Sequence, residues 1–113
     1  MSAMKLDGKV ALITGGARGL GREMALAFAE AGAAGIAITA APGSDEAADS
    51  IDAELNDTLA AIRAAGGKGI ALRGDVSVAE DCKRVVAETI DAFGALHILV
   101  NNAGKAGRYA HGG

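Results

Sequence analysis

The glycines between residues 15 and 21 are the part of this sequence with the clearest capacity for chemistry. Four of these seven residues are glycine, in the order Gly-Gly-Ala-Arg-Gly-Leu-Gly. Glycine adopts positive φ angles and carries no Cβ, so a ligand can approach the main chain closely. An apolar run, residues 10–13, precedes the glycines, and a segment with helical spacing follows them. Because the unpaired N–H groups at the start of a helix bind phosphate, this stretch predicts a phosphate-binding turn.

The spacing of the glycines distinguishes between the known nucleotide-binding turns. A Walker A loop needs a lysine and a hydroxyl residue after its last glycine, but Arg22 and Glu23 follow Gly21. The strict dinucleotide fingerprint G-x-G-x-x-G is also absent, because the glycines stand at Gly15, Gly19 and Gly21. A turn that only lets a helix pack close to a strand is the alternative without a ligand.

The composition limits the classes of fold and function. The chain has 113 residues, which is enough for one domain with a hydrophobic core. Half of the residues are hydrophobic and only 3% are aromatic, which favours helices packed on a sheet. The net charge of −3 offers no basic surface to nucleic acid. No segment resembles a membrane span or a signal peptide, and the single Cys82 excludes an intrachain disulfide, so we expect a cytoplasmic protein.

Apolar runs alternate with helical patterns along the chain and predict the order βαβαβαβ. The predicted strands are residues 9–14, 35–39, 69–73 and 96–100. The predicted helices are residues 18–31, residues 48–65, and a third helix that begins at the capping-box spacing of residues 77–80 and ends at Gly94. This alternation implies an α/β fold with a Rossmann-type parallel sheet in the order 3-2-1-4.

Helical periodicity also predicts which helix faces are buried. On the first helix these residues are Leu20, Met24, Ala27, Phe28 and Ala31. On the second helix they are Ile51, Leu55, Leu59 and Ile62. On the third helix they are Cys82, Val85, Val86, Thr89, Ile90 and Phe93. We interpret the acidic residues 45–57 as a solvated helix start rather than a metal site, and we assign no catalytic role to His97.

In a Rossmann sheet a cofactor lies over the carboxyl ends of the strands, where the strand order reverses. Small or polar residues follow three of the predicted strands, at residues 14–21, 74–76 and 101–104, which read Thr-Gly-Gly-Ala-Arg-Gly-Leu-Gly, Gly-Asp-Val and Asn-Asn-Ala-Gly. In order and approximate spacing, these three motifs resemble those of the short-chain dehydrogenase/reductase family. The resemblance covers nearly the whole chain, but only the first half of a family member.

The resemblance implies that the glycine turn binds the pyrophosphate of a nicotinamide dinucleotide. Gly15, Gly19 and Gly21 are expected to line this turn. The backbone amides of Arg18, Gly19 and Leu20 are expected to donate hydrogen bonds to the diphosphate.

The other two motifs imply contacts with the rest of the cofactor. The Asp75 carboxylate is expected to accept from the adenine amino group, and Val76 to bond the ring through its main chain. A loop cap ahead of the third helix is the alternative role of Asp75. Thr14 and Asn101 are expected to form a structural pair between the first loop and the fourth strand. The residues expected to pass beside the adenosine ribose, toward the nicotinamide ribose, are Asn102, Ala103 and Gly104.

The residues after the second strand predict which nicotinamide cofactor is bound. An acid roughly 20 residues beyond the glycines would bind the 2′-hydroxyl of NAD, but Thr39, Ala40 and Ala41 occupy that place. The sequence therefore favours NADP, whose 2′-phosphate Arg18 or Arg22 can pair with. NAD stays open, because an unusual loop can bring back the nearest acid, Asp45.

No catalytic residue is assigned. Hydride transfer in this family uses a serine and a Tyr-x-x-x-Lys pair, whereas the only tyrosine, Tyr109, is followed four residues later by Gly113.

The first interpretation is the cofactor-binding half of an NAD(P)-dependent oxidoreductase that interconverts an alcohol and a carbonyl, and the family implies a homo-oligomer. The alternative is a complete, non-catalytic nucleotide-binding or interaction module, which an unpaired apolar edge at residues 98–100 argues against. The tail, residues 105–113, is either the start of a substrate loop or disordered.

Overall fold

The computed structural model describes residues 5–41 and 47–102. Several positions with sequence-based expectations lie outside these ranges. They are Asp45, Ala103, Gly104, Tyr109 and the tail of residues 105–113.

Strands and helices alternate along the described chain in the predicted order. The strands are β1 (Val10–Thr14), β2 (Gly35–Ala40), β3 (Gly69–Arg73) and β4 (Ile98–Asn101). The helices are α1 (Gly19–Glu30), α2 (Ala48–Ala64) and α3 (Ala79–Phe93). The strands pair in parallel in the order β3-β2-β1-β4. This result confirms the predicted α/β fold and its strand order.

Helices cover both faces of the sheet. Every residue of β1 and β2 is buried, because these two strands lie in the centre of the sheet. The core under α1 and α2 includes Ile13, Ala25, Ile36, Ile38, Leu55 and Ile62. The core under α3 includes Leu12, Ala37 and Val85. Since the strands are parallel, their carboxyl ends reach the same edge of the sheet.

The buried face of α1 differs from the predicted stripe. The helix buries Gly21, Ala25 and Ala29, whereas Leu20 is 66% exposed and Ala27 is exposed. Small side chains let the helix axis approach the sheet closely, so the contact falls on glycine and alanine. The larger apolar side chains of α1 then lie at the flanks of the contact. The prediction was wrong for Leu20 and Ala27, because an alanine-rich helix has more than one apolar face. Met24 and Phe28, which the prediction also named, are partly buried and pack against the core.

The buried faces of α2 and α3 match the prediction in part. In α2, Thr58 is fully buried and Leu59 only half-buried, although the periodicity selected Leu59. In α3, Val85 and Thr89 are buried, but Ile90 is 44% exposed. Each residue advances about 100° around a helix, so Ile90 lies past the face that contacts the sheet.

The predicted capping box of α3 is wrong. The N-cap is Val78, in an extended conformation and without a side-chain cap hydrogen bond. Ser77 instead donates from its backbone N and its Oγ to Asp75 Oδ1, at 2.9 and 2.6 Å. The Asp75 carboxylate therefore accepts the hydrogen bond from the Ser77 hydroxyl that a capping box would use. Cys82, in the first turn of α3, is half-buried and donates its thiol hydrogen to the Val76 carbonyl oxygen at 3.0 Å.

The fourth strand begins two residues later than predicted, at Ile98, and ends at Asn101. His97 precedes it and exchanges two hydrogen bonds with Val10 at the start of β1. The Val10 amide donates to His97 Nδ1 at 3.0 Å, and the His97 amide donates to the Val10 carbonyl oxygen at 2.9 Å. Leu99 is 61% exposed on β4, which bears out the predicted apolar edge.

Within residues 5–41 and 47–102, no helix has the length and apolarity to cross a membrane. In the same ranges, no three histidine, cysteine, aspartate or glutamate side chains group as a metal site requires.

An ion pair between α2 and the end of β3 predicts a pH dependence of stability. Arg73 Nε and Nη2 donate to Asp52 Oδ1 and Oδ2 at 2.7 and 2.6 Å, and these hydrogen bonds lower the pKa of Asp52. Because the folded-state pKa is lowered, the ion pair contributes its full stabilisation above the unfolded-state pKa of about 3.9. This stabilisation is lost as pH falls through the folded-state pKa. We expect Asp52→Asn to lower the free energy of unfolding at pH 7 and to have less effect at pH 2.

Urea unfolding of the variant and the wild type at both pH values measures this difference. Asp91→Asn is the control, because Asp91 is an exposed residue of α3 and takes no part in this pair. An Asp52→Asn effect of the same size at pH 7 and pH 2 would contradict the prediction.

Candidate functional site

The carboxyl ends of β1 and β4 meet where the strand order reverses, with Thr14 and Asn101 paired in register. Thr14 Oγ1 lies 3.3 Å from both Asn101 Oδ1 and the Val100 carbonyl oxygen, which share its single proton as acceptors. The same hydroxyl accepts from the Asn102 amide at 3.0 Å. These contacts confirm the predicted pair of Thr14 and Asn101 and tie the first loop to the fourth strand.

The glycines of the turn serve two different structural needs. Gly15 and Gly19 have φ angles of +70° and +62°, which favour glycine. Gly21 is buried in α1, and a Cβ there would overlap the Gly15 carbonyl oxygen and lie 2.7 Å from Asn102 Nδ2. Asn102 Nδ2 donates to that carbonyl oxygen at 3.2 Å. The turn, the first helix and the end of β4 therefore meet at one point.

The start of α1 fits a bound anion. Arg18 is its N-cap, with an extended backbone and no side-chain cap hydrogen bond, and the first turn contains no acidic residue. Arg18, Gly19 and Leu20 are all exposed, and a Cβ built on Gly19 would meet no atom of the described chain within 4 Å apart from its chain neighbours and the backbone of its own helix. An exposed, uncapped helix start, with the positive end of the helix dipole, suits the diphosphate of a dinucleotide.

The two arginines of this region have different surroundings. Arg22 Nη1 donates to Asp57 Oδ2 at 3.1 Å and to Thr58 Oγ1 at 2.9 Å, so the Arg22 side chain is held against α2. Arg18 Nε lies 3.5 Å from Glu54 Oε1, and the Arg18 side chain is 75% exposed. Of the two, Arg18 is the arginine that can reach a ligand in solvent.

The end of β2 is neutral. Thr39 and Ala40 are buried, and Ala41, the next residue, is exposed. The Gly16 amide donates to the Thr39 carbonyl oxygen at 2.9 Å, which joins the glycine turn to β2. None of the residues 39–41 supplies a carboxylate for a ribose hydroxyl or a charge that would repel a phosphate.

The loop after β3 uses Asp75 as a cap. Its Oδ1 accepts both hydrogen bonds from Ser77, and its amide donates to Asp81 Oδ2 at 2.8 Å. The geometry bears out the loop-cap role that the sequence left open. A carboxylate accepts several hydrogen bonds, so this cap is compatible with the adenine contact predicted for Asp75. A cavity of about 250 Å³ adjoins Asp75, and its lining also includes Ala41, Gly74 and Arg84.

The sequence analysis missed one residue that contacts the glycine turn. Thr58 is fully buried, and its Oγ1 donates to the Ala17 carbonyl oxygen at 2.9 Å. The available signal was its spacing: Ile51, Leu55, Thr58 and Ile62 follow one helix face, so a hydroxyl there had to find a buried partner.

Comparisons with known proteins give the family of this chain. The sequence profile described as short chain dehydrogenase matches residues 9–111. The glucose and ribitol dehydrogenase of Daucus carota is 39% identical over 107 residues, which are 91% of this chain and 34% of that protein. The chain spans about a third of the length of the curated relatives that it matches.

Solved structures agree with the sequence comparison. A dehydrogenase structure from Burkholderia cenocepacia with bound NADP matches with a TM-score of 0.77 and 31% identity, over 87% of this chain and 35% of that one. An NADH-dependent reductase complexed with NAD matches with a TM-score of 0.74 and 30% identity, over 91% of this chain and 39% of that one. The profile, the relative and the folds coincide on the same residues, and this chain belongs to the short-chain dehydrogenase/reductase family.

Proposed function

We propose that this chain is the cofactor-binding part of an NADP-dependent oxidoreductase that interconverts an alcohol and a carbonyl. The observation that carries the proposal is the uncapped start of α1, where Arg18, Gly19 and Leu20 are exposed beside the glycine turn. The NADP and NAD bound to two solved relatives support the choice of a nicotinamide dinucleotide.

The chain's own residues would bind and orient the cofactor, whose nicotinamide supplies the hydride chemistry. In this proposal, the turn of Gly15, Gly19 and Gly21 and the start of α1 hold the diphosphate. Asp75 and the main chain of Val76 bind adenine next to the cavity between the ends of β2 and β3. The residues proposed to line the path from the ribose to the nicotinamide are Asn102, Ala103 and Gly104.

The preference for NADP over NAD rests on charge. The end of β2 carries no acid to repel a 2′-phosphate, and Arg18 is the nearby cation with an exposed side chain. Arg22, the other candidate, already pairs with Asp57. NAD is the alternative cofactor, and measuring the affinities for NADPH and NADH distinguishes the two.

The reaction itself needs residues that these 113 do not include, since no tyrosine is followed by a lysine at the family's spacing. We therefore propose that this stretch alone binds the cofactor without turning over a substrate. The exposed Leu99 on β4 favours this interpretation over a stand-alone binding module, because an exposed apolar edge strand calls for a further partner. A cytoplasmic homo-oligomer, as the sequence and the family suggest, completes the proposal.

The first test asks whether the open start of α1 binds the cofactor. We expect Gly19→Ala to weaken NADPH binding at least about tenfold, because a Cβ and a shifted backbone would displace the diphosphate. Isothermal titration calorimetry on the purified protein measures the dissociation constant. Gly66→Ala is the matched control, because Gly66 also has a positive φ, +91°, and open space around its Cβ position, but lies in the loop after α2. Equal NADPH affinity in both variants would contradict the proposal.

The second test addresses the 2′-phosphate. We expect Arg18→Gln to weaken NADPH binding by about tenfold and to leave NADH binding within about twofold, because a charged hydrogen bond to phosphate is lost. Arg22→Gln should leave the ratio of the NADPH and NADH affinities unchanged, because Arg22 faces α2. A parallel loss of both affinities in Arg18→Gln would count against a phosphate role for Arg18.

A further inference from the structure

A buried hydroxyl of α2 holds the middle of the glycine turn. Thr58 Oγ1 donates to the Ala17 carbonyl oxygen at 2.9 Å, across 41 positions in the sequence. Both partners are buried, with Thr58 fully so and Ala17 5% exposed. The contact therefore joins the phosphate-binding turn to a helix that is remote from it in the chain.

The direction of this hydrogen bond is fixed by a second contact. Arg22 Nη1 donates to Thr58 Oγ1 at 2.9 Å and also pairs with Asp57 Oδ2 at 3.1 Å. A threonine hydroxyl has one proton to donate. Because its oxygen accepts from Arg22, that proton is directed to Ala17.

A comparison within the chain shows that this arrangement is not what a buried helical threonine requires. Thr89 of α3 is equally buried, and its Oγ1 donates to the Val85 carbonyl oxygen of the same helix at 2.7 Å. Thr58 instead donates out of its own helix, to the turn. A buried carbonyl without its donor is costly, so the Ala17 carbonyl depends on Thr58.

The Ala17 carbonyl sets the direction of the next amide. The peptide unit between Ala17 and Arg18 is planar and trans, so its C=O and N–H point in opposite directions. With the carbonyl oxygen fixed on Thr58, the Arg18 N–H points away from α2. Arg18 is the N-cap of α1, and its amide is one of those proposed to hold the diphosphate.

We infer that Thr58 is a positioning residue for dinucleotide binding. By holding the Ala17 carbonyl, Thr58 aims the Arg18 amide at the diphosphate, and Arg22 supports Thr58 in this role. This inference rests on the proposed function. It assigns to α2 a part in cofactor affinity that requires no direct contact between Thr58 and the cofactor.

The test compares Thr58→Val, which removes the hydroxyl and keeps the branched shape, with Thr58→Ser, which keeps the hydroxyl. We expect Thr58→Val to weaken NADPH binding by about fivefold to tenfold and Thr58→Ser to stay within about twofold of the wild type. Calorimetry on the full-length protein measures both. Binding of adenosine 2′-phosphate, which lacks the diphosphate bridge, should be the same in all three proteins.

Thr89→Val is the matched control for stability. It removes an equally buried hydroxyl, so we expect it to lower the melting temperature and leave the NADPH affinity unchanged. If Thr58→Val does not fold, Arg22→Gln takes its place, because it removes the donor to Thr58 from a partly exposed position. We expect Arg22→Gln to weaken NADPH and NADH equally, by about twofold to threefold.

The outcomes separate the two proposals. A wild-type protein that binds neither NADPH nor NADH would overturn the proposed function, and the inference with it. A wild type that binds NADPH, together with a folded Thr58→Val of equal affinity, would overturn the inference alone. If only Arg22→Gln folds, an affinity equal to that of the wild type would also overturn it.

Discussion

The site depends on how closely the first helix approaches the end of the first strand. At Gly21 there is no room for a Cβ, because the Gly15 carbonyl oxygen and Asn102 Nδ2 occupy the space. That closeness lets the Asn102 side chain donate to Gly15 and lets the Asn102 amide donate to Thr14. The start of α1 is thereby fixed against the two strands that flank the reversal of strand order. Any larger residue at position 21 would separate the parts that form the site.

The glycine turn is held by hydrogen bonds to β2, α2 and β4, and all of these contacts lie on the inner side of the turn. The Gly16 amide bonds to β2 through the Thr39 carbonyl oxygen, and the Ala17 carbonyl bonds to α2 through Thr58. Thr14 bonds to β4. These polar groups are satisfied inside the protein, whereas Arg18 and its two successors are exposed. A turn whose inner polar groups are satisfied and whose outer residues are exposed has the preorganisation that the proposed binding of a diphosphate requires.

Much of the fold was predictable from local patterns, and the errors have physical causes. Apolar runs and glycine breaks located the strands, because each is a property of a few adjacent residues. The buried face of α1 was missed, since alanines do not mark one side of a helix. The capping box failed because Asp75, outside the motif, accepts from Ser77. Thr58 was missed because its partner, Ala17, lies 41 positions away, and no spacing rule joins them.

Three acidic residues of α2 form ion pairs with arginines, and these pairs differ in length and in exposure to solvent. Asp52 lies 2.6 Å from Arg73 Nη2, Asp57 lies 3.1 Å from Arg22 Nη1, and Glu54 lies 3.5 Å from Arg18 Nε. Coulomb attraction and hydrogen bonding both weaken as the separation grows. The Arg18 contact is the longest of the three, and its guanidinium is the most exposed. Of these three arginines, Arg18 therefore gives up least in making the phosphate contact that we propose for it, and the Glu54 contact keeps it near the turn.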